Sequence, residues 1–209
     1  MTNNLKIKVC GMKFTQNREE VEKLPVDFLG FIFYPKSRRF AGENTEPGLF
    51  HSSKEKVGVF VNENNFEILG LAKNLGFEWI QLHGKENPET CKILQKQGLK
   101  IIKVFNLHEK FNFHSLEDYA GSADYFLFDT RSQLPGGSGK KFNWEILDRY
   151  AGETPFFLSG GIKPGDAGRI KKLDHPFLCG IDLNSGFEDE PGLKNIDKLK
   201  AFIDEIKNK

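Results

Sequence analysis

Eight short β-prone runs recur along the chain, at residues 6–10, 28–33, 57–61, 79–83, 100–105, 125–129, 156–159 and 177–182, with starts roughly 21 to 30 residues apart. A strand, a loop, a crossover of helical length and a second loop fill about 30 residues, so the spacing predicts a βα unit repeated through the whole chain. Eight such units leave no surplus segment in 209 residues, and single barrels of this type run to about 200–250 residues. The expected fold is an α/β structure, a (β/α)8 TIM barrel, in one domain covering residues 1–209. An open doubly wound sheet also alternates strands with helices but requires no particular strand count, so the eightfold repeat fits it less directly.

The segments between the runs differ in helical quality. Residues 66–75, 88–96 and 193–207 carry the apolar spacing of amphipathic helices. Residues 41–54 contain Gly42, Pro47 and Gly48, and 107–123 are short of aliphatic periodicity, so crossovers there are expected to be short or irregular.

Charge and cysteine usage narrow the function classes. Lys plus Arg number 30 against 29 Asp plus Glu, which argues against a general nucleic-acid binder and makes any anion site a local one. The three cysteines form no C-x-x-C or framework spacing, so reduced thiols in a cytoplasmic setting are expected. The opening residues lack the apolar core of a signal peptide, and no apolar run reaches membrane-spanning length, so no membrane partner is expected.

In such a barrel the chemistry lies where strands end and the following loops begin. The sixth run stops on the carboxylate of Asp129, and within ten residues comes Gly136-Gly137-Ser138-Gly139-Lys140. Glycine backbone can converge N–H groups on an anion. The segment is not a nucleotide P-loop, because Leu134 stands where the first glycine belongs and Lys141 where a metal-binding hydroxyl belongs. Gly160-Gly161 and Ser185-Gly186 follow runs seven and eight, where barrels often hold a substrate phosphate. For any single pair a tight turn explains the glycines equally well, but three clusters on one rim point to an anion.

Cys10 ends the first run, unlike Cys91 and Cys179, which read as small buried hydrophobes. Strand alternation gives Lys8 the same face as Cys10. A buried ammonium needs a partner, and closure would bring Asp182 of the eighth run to its height, so a Lys8–Asp182 contact beneath the thiol is expected. Asp129 could instead cap its loop. His83 either hydrogen-bonds its loop or meets substrate, and the remaining histidines have no metal-ligand spacing.

These residues resemble a known family. The runs Lys8-Val9-Cys10-Gly11, Gly30-Phe31-Ile32-Phe33-Tyr34-Pro35-Lys36-Ser37-Arg38-Arg39, Val57-Gly58-Val59-Phe60-Val61-Asn62, Gln81-Leu82-His83-Gly84, Asp129-Thr130, Gly136-Gly137-Ser138-Gly139-Lys140 and Leu158-Ser159-Gly160-Gly161 look like the phosphoribosylanthranilate isomerases of tryptophan biosynthesis. The resemblance implies an Amadori rearrangement of a phosphorylated aminoaldose to an aminoketose, with Asp129 as acid, Cys10 as base and Arg39 on the anthranilate carboxylate. It implies no metal and no cofactor. Substrate contacts are expected from His83, Gly137, Ser138, Gly139, Gly160, Gly161, Asp182, Ser185 and Gly186. Lys36 and Arg38 read as exposed charges. The family usually carries a serine where Asn184 stands, which alters the expected phosphate contacts there.

The expected partner is thus a small phosphorylated molecule, with the oligomeric state left open. A Schiff-base lyase on the same barrel would need an activated lysine at a strand end, for which Lys103 is the candidate. A phosphate-ligand binder without catalysis is the third reading.

Overall fold

Parallel strands buried on both faces need near-continuous apolar sequence, and the eight runs supply it. The computed structural model describes residues 5–42, 45–130 and 143–208. Its strands are β1 (Lys6–Cys10), β2 (Phe28–Ile32), β3 (Glu55–Phe60), β4 (Trp79–Leu82), β5 (Lys100–Asn106), β6 (Tyr125–Asp129), β7 (Phe156–Ser159) and β8 (Leu178–Leu183). They form a closed barrel in sequence order, and β8 pairs in parallel with β1 through Lys6↔Gly180, Ile7↔Ile181, Lys8↔Asp182 and Val9↔Leu183. The expected (β/α)8 barrel is the fold.

Alternation along each strand divides the apolar side chains into two cores. Ile7, Val9, Leu29, Phe31, Ile80, Ile101, Phe126, Phe128, Phe156 and Ile181 point outward under the crossovers. Phe28, Val57, Val59, Trp79, Ile102, Val104, Leu127 and Phe157 fill the lumen. Its lower end is closed by four rings. Phe28 meets Trp79 and Phe157 edge-on at centroid distances of 5.4 and 5.7 Å, while Tyr125 stacks on Trp79 and meets Phe157 edge-on, both at 5.2 Å.

The crossovers follow the local sequence. Helix α1 (Thr15–Glu22) follows β1. Helix α2 (Asn65–Leu75) starts where Asn64 accepts the Glu67 N–H and stops at Gly76, whose φ of 68° suits glycine. Helix α3 (Pro88–Lys96) is capped by Asn87 with Pro88 at its first position. Between β2 and β3 the described residues contain no helix; the chain folds back so that Phe40 bridges Ile32. Among the described residues, 3-10 segments at Phe113–Tyr119 and Trp144–Arg149 follow β5 and β6, and a 3-10 turn with a short α4 (Ala167–Ile170) follows β7. Irregular crossovers over 41–54 and 107–123 therefore match expectation.

The expected helix at 193–207 is shorter than its apolar pattern suggested. Helix α5 covers Ile196–Lys207, with Asn195 accepting the Lys198 N–H at its start. Leu193 and Lys194 instead form β10, antiparallel to β9 (Glu188–Glu190). Pro191 and Gly192, the latter at φ 95°, turn the chain before the helix can begin. No helix among the described residues is long and apolar enough to cross a membrane.

Candidate active site

The C-terminal rim gathers buried, paired charges. Cys10 is the last residue of β1 and lies in register with Gly30 of β2. Directly below, Lys8 Nζ donates to Asp182 Oδ1 at 2.8 Å, both side chains being almost wholly buried at 0% and 7% exposure. The expected pair is present. Asp182 Oδ2 also accepts from Ser159 Oγ at 3.2 Å. Burial opposes the charge on Lys8, yet Asp182 and the Cys10 sulfur hold its pKa above the usual lysine value.

Gly30 makes this packing possible. A Cβ there would lie 2.8 Å from Cys10 Sγ and 3.1 Å from Lys8 Nζ, inside normal contact distance. Burial pushes the Cys10 thiol up; Lys8 pulls it down, Asp182 pushes it up again, Lys194 pulls it down, and the balance is upward. The resting group is a protonated thiol beside an ammonium.

Arg39 approaches the thiol from the loop after β2. Ser37 Oγ accepts the Arg39 N–H at 3.1 Å, and the Ala41 N–H donates to the Ile32 carbonyl at 2.9 Å, folding the loop back onto the barrel. Lys36 and Arg38 are exposed as expected, whereas Arg39 turns inward over Gly11. Gly11 has φ 80°, and a Cβ on it would meet Arg39 Cδ at 2.6 Å, so only glycine admits this crossing. The guanidinium is already paired: Nε lies 2.8 Å from Glu188 Oε1, and Nη2 donates to Oε2. Hydrogen bonding to Glu188 holds the Arg39 pKa above its ordinary value.

Across the rim, Asp129 ends β6 in register with Ser159 of β7 and Asn106 of β5. Its backbone carbonyl accepts the Leu107 N–H at 2.8 Å, and the Thr130 hydroxyl donates to the Ser159 carbonyl at 2.8 Å, fixing the strand end. His83 Nε2 stands 3.8 Å from Asp129 Oδ2, and its Nδ1 lies 3.3 Å from Gln81 Nε2. Burial depresses the His83 pKa against the opposing pull of Asp129, so the ring is neutral near pH 7. The Gln81 side chain thus holds the His83 ring in place beside Asp129.

The two glycine turns meet. Gly160 and Gly161 have φ of 94° and 67°. After β8 the 3-10 turn Ser185–Phe187 lies so close that a Cβ on Gly186 would stand 2.2 Å from the Ile162 carbonyl oxygen. The absence of a side chain at Gly186 thus lets the turn after β8 pack directly on the backbone of the loop after β7. Gly137, Ser138 and Gly139 lie outside the described residues.

A family model described as N-(5'-phosphoribosyl)anthranilate (PRA) isomerase matches residues 7–205. The chain belongs to this family. An N-(5'-phosphoribosyl)anthranilate isomerase of Parabacteroides distasonis is 52% identical over 204 residues, covering 96% of this chain and 92% of its own. The crystal structure of the Thermotoga maritima PRA isomerase superposes with a TM-score of 0.79 at 30% identity, covering 98% of this chain and 100% of that one. A PRA isomerase crystallised with reduced 1-(o-carboxyphenylamino)-1-deoxyribulose 5-phosphate gives 0.76 at 27% identity, with the same coverage.

Against PRA isomerase chemistry, Lys103 falls away as a Schiff-base lysine. Ile102 and Val104 face the lumen, and Lys103 between them donates to the carbonyls of Leu82 and Gly84 at 3.2 and 2.8 Å and to Glu86 at 2.9 Å. Its ammonium ties down the loop that carries His83. Sequence reasoning missed Glu188 and Lys194, which lie next to Arg39. Their signal was the Pro191-Gly192 turn inside a charged stretch, which marks a hairpin rather than a helix start. Asn184 is also reassigned, since its Oδ1 accepts from Lys194 Nζ at 2.9 Å.

Proposed function

We propose that Cys10 and Asp129 divide the proton transfers of the Amadori rearrangement that converts N-(5'-phosphoribosyl)anthranilate into 1-(o-carboxyphenylamino)-1-deoxyribulose 5-phosphate. As a member of its family, the chain is the isomerase of this step in tryptophan biosynthesis. Asp129 gives its proton to the ribose ring oxygen; the C1–O bond breaks and the nitrogen lone pair closes an iminium. Cys10, as thiolate, takes the hydrogen from C2, and the resulting enolamine tautomerises to the ketone. Each transfer needs a group with an accessible pKa at the right height of the rim.

The observation that supports the assignment best is Cys10 resting on the Lys8–Asp182 pair, which places a cation beside the sulfur when it loses its proton. Arg39 receives the anthranilate carboxylate. The phosphate rests on the backbone of Gly160, Gly161, Ser185 and Gly186. Asp182 acts on the substrate side through the Lys8 pair, and His83 from its place beside Asp129. Three free cysteines suit a reducing cytoplasm.

The test is to generate phosphoribosylanthranilate in situ and follow its disappearance with wild type, Cys10→Ser and Asp129→Asn. Each variant should lose on the order of 10² to 10⁴ in rate. Undiminished turnover in both would sink the assignment.

A further inference from the structure

Arg39 and Glu188 meet along one edge of the guanidinium, through Nε and Nη2. Among the described residues Nη1 makes no hydrogen bond, so that edge of the guanidinium is left for another partner, and the Arg39 side chain keeps 20% exposure. A pair of one cation and one anion carries no net charge, and a second carboxylate arriving at that edge would be repelled by Glu188. Lys194 changes the balance. Its Nζ lies 2.6 Å from Glu188 Oε1 and 2.9 Å from Asn184 Oδ1, with no exposure of the side chain.

The position of Lys194 is built in rather than incidental. Asn17 of α1 clamps its backbone in both directions, accepting the Lys194 N–H at 2.7 Å and donating to its carbonyl at 2.8 Å. The Gly192 N–H donates to Glu188 Oε1 at 3.1 Å, fixing the carboxylate from the turn of the hairpin. Burial lowers the Lys194 pKa and Glu188 opposes that shift; with its ammonium held on Glu188, the trio of Arg39, Glu188 and Lys194 carries a net charge of one positive unit.

We infer that Lys194 is a positioning residue for substrate specificity: it offsets Glu188, so the guanidinium that Glu188 pins retains a net positive charge for the carboxylate on the substrate's aromatic ring. Lys194 does this without touching the substrate. The inference rests on Arg39 being the carboxylate ligand, and the experiment separates the two.

Inhibition constants are measured for two compounds, reduced 1-(o-carboxyphenylamino)-1-deoxyribulose 5-phosphate and the same molecule without its carboxyl group. The proteins are purified wild type, Lys194→Met, the double variant Glu188→Gln/Lys194→Met, and Arg39→Ala. Lys194→Met should lose on the order of ten- to a hundredfold in affinity for the carboxylated compound and keep its affinity for the other. The double variant removes one charge of each sign and leaves a glutamine oxygen for Arg39, so it should regain most of the lost preference. A merely structural Lys194 would weaken both compounds alike and gain nothing from the second substitution; either result overturns the inference. Preference lost in Arg39→Ala but kept in Lys194→Met rejects Lys194 alone. Preference kept in Arg39→Ala removes Arg39, and the inference with it.

Discussion

The two ends of the lumen are made by the same strands and obey opposite rules. On β4 the inward residues run Trp79, Gln81, with His83 just beyond the strand, on β6 Tyr125, Leu127, Asp129, and on β7 Phe157, Ser159. One or two steps of strand alternation take each wall from an aromatic ring to a polar or ionisable group. The floor is built of four rings at 5.2 to 5.7 Å, with the Lys6 and Lys100 ammoniums over Phe28 and Trp79. The rim instead holds buried charges, each costly to desolvate and tolerated because a partner lies within hydrogen-bond distance: Lys8 with Asp182, Arg39 and Lys194 with Glu188. The contrast teaches that the barrel gains stability at one end and places reactivity at the other, so damage at each end should read out differently.

The largest separation should come from Phe157→Ala. Removing a fully buried ring from the floor should cost about 3–5 kcal/mol of stability, read as a lower denaturation midpoint, while kcat per folded molecule stays near wild type. A loss of kcat without loss of stability would break the division between the ends. Gly30→Ala should do the reverse. Its methyl would press on Cys10 Sγ and Lys8 Nζ, and a displaced base should lower kcat on the order of ten- to a hundredfold with KM little changed. If kcat survives, the thiol's position is not what the reaction depends on.

The smallest effect, and the one that sharpens the rim's electrostatics, is the pH profile. Because burial raises the Cys10 pKa despite Lys8, the thiolate fraction is small at neutral pH and grows as pH rises. kcat/KM should therefore climb through the ordinary thiol range, about 7 to 9, without levelling off there. A flat profile there would show that Cys10 does not limit the rate as a base.

Much of this architecture was legible in the sequence, and the exceptions share a cause. The eight runs were visible because parallel strands demand apolar residues on both faces. That same continuity hid which residues face the lumen, so the aromatic floor could not be read from Phe28, Trp79, Tyr125 and Phe157 alone. Lys8 with Asp182 was accessible because alternation and barrel closure fix height around the ring. Glu188 and Lys194 were not, because residues 187–195 look like a charged surface loop followed by a helix. Only the hairpin turned back by Gly192 and clamped by Asn17 buries them beside Arg39.

The family resemblance supplied the roles of Cys10 and Asp129; local chemistry written along the chain was enough to set the repeat, the strand ends and the glycine turns. These follow from periodicity and from where reactive side chains interrupt it. The tertiary structure decided which charges share a pocket: that Arg39 points inward while Lys36 and Arg38 face water, that Lys103 braces a loop, and that Asn184 holds a lysine. Coulomb interactions and desolvation depend on distance and burial between residues far apart in sequence, and those quantities exist only once the barrel has closed.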